Sequence, residues 1–184
     1  MRGWLRDPVG VGLPFPSSPW TARRLAGAAL ESAIDGAGPV LELGAGTGSV
    51  TQALVALGCP AHRIVAVEQD AELSRSLESS LPGLRVVHGN ALELQDLARC
   101  TGIGSVSAVI SGLPMRAIAP EVAARCYSDA FKLMPKGGAI IQYTYGLRPP
   151  VDPERTAPAL DATFVAREWR NFPPMGIWRY RLAA

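Results

Sequence analysis

The chain has 184 residues, 48% of them apolar, and a formal net charge of +2. That length fits one domain with a core of its own, and the charge is too small for a domain built to neutralise many phosphates. Cys59, Cys100 and Cys126 stand apart and His62 and His88 complete no ligand set, so neither a disulfide framework nor a metal site is expected, and free thiols suit a reducing cytosol.

Residues 1–19 read as an arm. Met1, Trp4 and Leu5 share one helical face with Arg2 and Arg6 beside it, and Pro8 ends the turn. Residues 20–184 read as the domain. Ser18 caps a helix over 20–34 with Pro19 at its first position, and Gly36 and Gly38 stop it. A strand at 40–43 is followed by a helix at 49–57, closed by Gly58 and Pro60. A strand at 64–67 leads to a helix that Asp70 caps and that runs to residue 81, where Pro82-Gly83 turns the chain. Then come a strand at 84–87, a weaker helix at 92–98, a strand at 106–110, a helix at 121–134 and a strand at 139–143. Segments 163–170 and 176–182 alternate and are aromatic, the pattern of an antiparallel hairpin. The proline-rich stretch 149–158 reads as a connector. No apolar run reaches membrane-span length and no secretory leader is visible, so a soluble or peripheral monomer is expected.

Strands apolar on both faces, alternating with helices, imply a parallel sheet covered on both sides. Five such steps followed by a hairpin are the layout of class I methyltransferases. The expected fold is therefore α/β and Rossmann-like, a seven-stranded, mostly parallel sheet with a C-terminal antiparallel hairpin.

Between the first strand and its helix lies Glu42-Leu43-Gly44-Ala45-Gly46-Thr47-Gly48. A glycine loop in that context is a nucleotide site. A dinucleotide loop would carry a glycine where Ser49 stands. Glu42 would repel a pyrophosphate, but it can face a cationic amino group or a structured water. S-adenosylmethionine, with an ammonium, a sulfonium and no phosphate, fits better. Glu68 ends the second strand, where an acid accepts both ribose hydroxyls, and Gln69 covers the adenine edge. Asn90 follows the third strand, and its amide can bond the adenine amine. Taken singly, these residues read equally as caps and turns; in succession at three strand ends they form a cofactor site.

The fourth strand ends in Ser111-Gly112-Leu113-Pro114. Methyl transfer from a sulfonium is an in-line displacement, so the acceptor needs a free lone pair held against the methyl group. Carbonyls and one side-chain oxygen here can take an amine's hydrogens and aim that lone pair. Enzymes that methylate nucleic-acid amines carry an aromatic after the prolines, to stack on the base; Met115 stands there instead.

Narrower stretches point further. They are Trp4-Leu5-Arg6-Asp7-Pro8 with Val11-Gly12, Pro16-Ser17-Ser18, Ser111-Gly112-Leu113-Pro114, Gln142-Tyr143-Thr144-Tyr145-Gly146 with Arg148-Pro149-Pro150, and Asn171-Phe172-Pro173-Pro174 before Trp178. With the glycine loop, they resemble the soluble bacterial phospholipid N-methyltransferases of the rhizobial–rhodobacterial type, over nearly the whole chain. That resemblance implies methylation of phosphatidylethanolamine toward phosphatidylcholine. It implies a cofactor site of Ser18, Glu42, Gly44, Ala45, Gly46, Thr47, Gly48, Glu68, Gln69, Asn90, Ala91 and Ser111. Around the acceptor it implies Ser111, Leu113, Tyr143, Tyr145 and Arg148, the phenols bonding phosphate or amine or facing the methylated cation, the guanidinium forking a phosphate. Tyr143 and Tyr145 equally fill a strand on propensity alone. The family commonly has Asp where Asn90 stands, and its amino-terminal helix is longer.

The arm supplies a minimal anchor for an anionic bilayer, Trp4 and Leu5 with Arg2 and Arg6. The expected location is the cytoplasmic side, peripherally on the inner face of the cell membrane, with no nucleic-acid partner and no metal. The arginines at 148, 155, 167, 170, 179 and 181 read mostly as a solvated face. Three rivals share the cofactor loop: an rRNA adenine N6-dimethyltransferase-like enzyme, a small-molecule amine methyltransferase and a non-catalytic binding module.

Overall fold

A computed structural model describes residues 18–36, 38–145, 147–170 and 174–183. The arm lies outside the described residues apart from Ser18 and Pro19, and so do Gly146, Asn171, Phe172 and Pro173. The chain runs α1 (Pro19–Ser32), β1 (Val40–Leu43), α2 (Ser49–Ala56), β2 (Ile64–Glu68), α3 (Ala71–Ser80), β3 (Arg85–His88), α4 (Leu94–Thr101), β4 (Ala108–Ser111), α5 (Pro120–Lys132), β5 (Ile140–Thr144), β6 (Leu160–Glu168) and β7 (Met175–Leu182).

These elements form one seven-stranded sheet in the order β3-β2-β1-β4-β5-β7-β6. The first five strands are parallel; β7 is antiparallel to both β5 and β6. The expected fold holds, with β7 lying inside the sheet and β6 on its edge. The strand order reverses between β1 and β4, and an open α/β sheet binds ligands at such a switch point.

Alternation along each strand builds two cores. Leu41, Leu43, Val65, Val67, Val109 and Ile140 face α4 and α5, where Tyr127 and Tyr180 are fully buried. Val40, Ile64, Ala66, Ile110 and Ile141 face the other way, against Leu25 of α1, Leu54 of α2 and Leu77 of α3. Glu42 shares the parity of Val40, so β1 points it at α2.

Boundaries shift where long-range pairing competes with local pattern. α1 ends at Ser32, two residues early, because the Ile34 amide bonds the Ser107 carbonyl at 3.2 Å. Ser107 itself bonds Pro39, so β4 starts at Ala108. The fourth helix opens as a tight turn, Ala91–Glu93, before α4 proper. β6 begins at Leu160, and a bulge between Phe164 and Ala166 breaks the alternation that would have marked its start.

Candidate active site

The glycine loop is held from beneath. The Gly44 and Ala45 amides donate to the Val67 carbonyl at 2.9 and 3.1 Å. Gly46 has φ +58, yet a Cβ there would meet nothing within 4 Å. A left-handed backbone with open space above it is what a closely approaching ligand requires. Thr47 stands exposed beside it, its Oγ1 3.2 Å from Ser49 Oγ, and Ala45 is buried under the loop.

Glu68 closes this cradle. Its Oε2 accepts the Gly46 amide at 2.7 Å and its Oε1 the Asp70 amide at 2.8 Å. One lone pair on each oxygen is left over, enough for a vicinal diol. Glu42 lies deeper, 2% exposed, accepting the Thr51 hydroxyl at 2.6 Å. Loss of water pushes its carboxyl up to about 7; the Thr51 hydrogen bond opposes that rise and the nearby Glu68 charge adds to it.

Asn90 is engaged locally. Its Oδ1 accepts the Leu92 amide at 3.0 Å and its Nδ2 lies 3.3 Å from Glu93 Oε1. Ala91 is buried beside it. Gln69 is exposed, its carbonyl 3.0 Å from His88 Nε2. Ser18 is the expected cap, accepting the Thr21 amide at 3.3 Å.

The acceptor loop touches the glycine loop backbone to backbone. The Gly112 amide donates to Leu43 at 2.7 Å, and a Cβ on Gly112 would fall 2.6 Å from the Gly44 carbonyl oxygen. Only glycine allows that approach. The Leu113 carbonyl accepts both the Met115 amide at 2.8 Å and Gln142 Nε2 at 3.1 Å, which uses both its lone pairs. Among the described residues, the Gly112 carbonyl receives one long contact, 3.4 Å, from the Tyr143 hydroxyl. Ser111 Oγ is fully buried beside the Tyr127 phenol, without a hydrogen bond of good geometry.

Two residues with no role in the sequence reading hold this loop. Gln142 is buried in β5, accepts the Tyr127 hydroxyl at 2.9 Å, and donates to the carbonyls of Leu113 and Tyr143 at 3.1 and 2.9 Å. The signal was present as a lone amide between Ile141 and Tyr143 in a strand buried on both faces. Tyr143 and Tyr145 are half-buried at the end of β5, and Arg148 is exposed. A cavity of about 310 Å³ opens beyond Met115, between Arg116, Ile118 and Pro120 on one side and Val151, Asp152 and Arg155 on the other. Arg116 and Arg155 were not anticipated there. Among the described residues no cluster of metal-ligating side chains occurs, and no helix is long and apolar enough to cross a membrane.

This sheet, with its switch-point glycine loop, is the class I methyltransferase fold, and solved methyltransferases share it. One is the CcbJ methyltransferase of Streptomyces caelestis: TM-score 0.57, 23% identity, 84% of this chain and 64% of that one covered. No family model matches the chain. An ornithine lipid N-methyltransferase of Singulisphaera acidiphila is 28% identical over 166 residues, 89% of this chain and 84% of the relative. The ribosomal RNA small subunit methyltransferase A of Myxococcus xanthus is 42% identical over 83 residues, 45% of this chain but 28% of the relative.

Proposed function

We propose that the chain transfers methyl groups from S-adenosylmethionine to the amine of a membrane lipid, phosphatidylethanolamine and its mono- and dimethyl forms, toward phosphatidylcholine. The carrying observation is the contact of Gly112 with Gly44, which puts the acceptor loop against the cofactor loop with one carbonyl still able to accept. Likeness to a lipid N-methyltransferase over most of both lengths supports a lipid amine, and it also favours a second acceptor, an ornithine lipid. The rRNA reading is disfavoured by Met115, which offers no planar face to a base, and by a match confined to less than half the chain.

Bound at the glycine loop, the cofactor supplies an electrophilic methyl group on a sulfonium. Glu68 turns its spare lone pairs to the ribose diol. Glu42, once ionised, would offset the positive charge of the cofactor's ammonium. Asn90, Ala91 and Gln69 would border the adenine, and Ser18, the cap of α1, would add a hydroxyl to the same site. For phosphatidylethanolamine and its monomethyl form, the Gly112 carbonyl would accept a hydrogen of the neutral acceptor amine and direct its lone pair along the transfer axis; the dimethyl amine has no such hydrogen and would rely on the cavity walls for its orientation. Leu113, its carbonyl spent, serves as an apolar wall, and Ser111 supports the turn from below. Tyr143 and Tyr145 stabilise the amine as it gains charge, and Arg148, with Arg116 and Arg155 at the cavity, meets the lipid phosphate. After each of the first two transfers the product ammonium gives its proton to water; the third yields a quaternary ammonium with no proton to lose. The protein works at the inner membrane face, and the arm residues Trp4 and Leu5 add apolar anchorage.

Incubation with labelled cofactor and anionic liposomes containing each lipid tests this. Label in the amine lipid is expected, and mass analysis counts the methyl groups; label in RNA and never in lipid overturns the reading.

A further inference from the structure

Two large apolar side chains that the fold leaves in water, Trp20 and Trp169, lie at one stretch of the sheet's ligand edge, and a third, Leu147, follows the end of β5 by three residues. Trp20 is 51% exposed, Leu147 77% and Trp169 73%. Their placement follows from register. β6 runs the same way as β5 because both are antiparallel to β7. Thr144, Gly176 and Arg167 lie side by side, so Arg167 stands two strands, about 10 Å, from the end of β5. Trp169 and Arg170 continue β6 over that edge. α1 brings Trp20 to the same place: Arg24 Nε donates to Glu168 Oε2 at 2.6 Å, and the Arg170 guanidinium lies 4.4 Å from the Trp20 ring centre. The Arg167 guanidinium lies 5.6 Å from that of Trp169.

Charge follows the same division. Glu168 is buried, paired with Arg24 and within the field of Arg170, while the guanidinium groups of Arg167 and Arg170 lie over the rings of Trp169 and Trp20. The acids Asp70, Glu72 and Glu93 sit at the opposite, β2–β3, end of the edge. Indoles rimmed by guanidinium suit the boundary between headgroups and acyl chains, where the ring sits in apolar surroundings and the charge meets phosphate. A nucleic-acid groove would call for a longer track of cations and would gain nothing from Leu147.

We propose that this patch docks the enzyme on an anionic bilayer, with Trp20, Leu147 and Trp169 entering the headgroup boundary and Arg167 and Arg170 meeting lipid phosphates. The patch adjoins Tyr143 and the acceptor loop on one edge, so a lipid amine reaches the site without leaving the interface. The inference rests on the lipid reading for its purpose, but docking is measurable without catalysis.

Full-length protein is sedimented with vesicles of phosphatidylcholine and phosphatidylglycerol in equal parts, and with phosphatidylcholine alone. The Trp20→Ser/Trp169→Ser double variant lowers partitioning about tenfold, and the Phe versions restore most of it. Arg167→Gln and Arg170→Gln each cost about fivefold on anionic vesicles and nothing on neutral ones. All variants keep wild-type circular dichroism, cofactor affinity and methylation of a monomeric short-chain phosphatidylethanolamine. Variants that partition like wild type overturn the proposal, as does binding of an rRNA fragment through these residues without vesicle binding. Docking through the patch with no lipid methylated removes the substrate reading and leaves the patch; lipid methylation with partitioning insensitive to these residues does the reverse.

Discussion

Burial decides how readily Glu42 can carry a charge. Burial holds its carboxyl at about 7 in the folded chain, against 4.5 when unfolded. Between those values the folded chain keeps a proton that the unfolded chain releases, so the contribution of Glu42 to stability is fully present below 4.5 and is lost as pH rises through about 7. Glu42→Gln removes that loss. The cofactor-free variant is expected to exceed wild type at pH 8 by on the order of 2–3 kcal/mol, with the gap closing toward pH 4.5, read from urea denaturation. The same variant binds S-adenosylmethionine more weakly, because no carboxylate answers the ammonium. Glu68 accepts the Gly46 and Asp70 amides, one on each oxygen, beside the glycine loop. Glu68→Ala is expected to lower cofactor affinity on the order of a hundredfold, since charged hydrogen bonds contribute about 1.5–3 kcal/mol each; unchanged affinity in calorimetry removes the ribose assignment. Both acids were visible in the sequence as strand-end carboxylates. The depth of Glu42 was not, because it depends on Thr51 of α2 closing over it.

Two loops make the site, and each is held by a contact that its own sequence does not announce. The glycine loop was legible from spacing alone, since a strand, three glycines and a helix start are all local. The acceptor loop depends on distance along the chain: Gly112 meets Gly44 across 68 residues, and Gln142 reaches back to Leu113. Gly112→Ala is expected to keep the fold but push the loops apart, reducing kcat by at least about tenfold, as a misplacement near 1 Å does, with cofactor affinity little changed. Tyr127→Phe leaves the Gln142 carbonyl buried without its donor, at a cost of about 1–3 kcal/mol in thermal or urea denaturation. The helices and strands themselves followed their periodicity, and they differ where a backbone amide found a better partner across the sheet, as Ile34 did with Ser107, where a tight turn precedes α4, and at the bulge of β6.

The hairpin ties the molecule's halves together. Tyr180 of β7 is fully buried, edge-on to Tyr127, and its hydroxyl both accepts the Val151 amide and donates to the Val151 carbonyl, each at 3.0 Å. Stretch 149–158, a plain connector in the sequence, is thereby fastened as one wall of the cavity next to the acceptor loop. Tyr180→Phe is expected to raise KM for the lipid several-fold while leaving cofactor affinity unchanged, measured by steady-state kinetics and calorimetry. From the linear chain came the fold class and the cofactor loop, because periodicity and glycine spacing act between near neighbours and survive any arrangement of the rest. The place of β7 between β5 and β6, the role of Gln142, and the meeting of Trp20 with Arg170 came from folding. Each depends on residues brought together by strand order and register, which hydrophobic patterning leaves open.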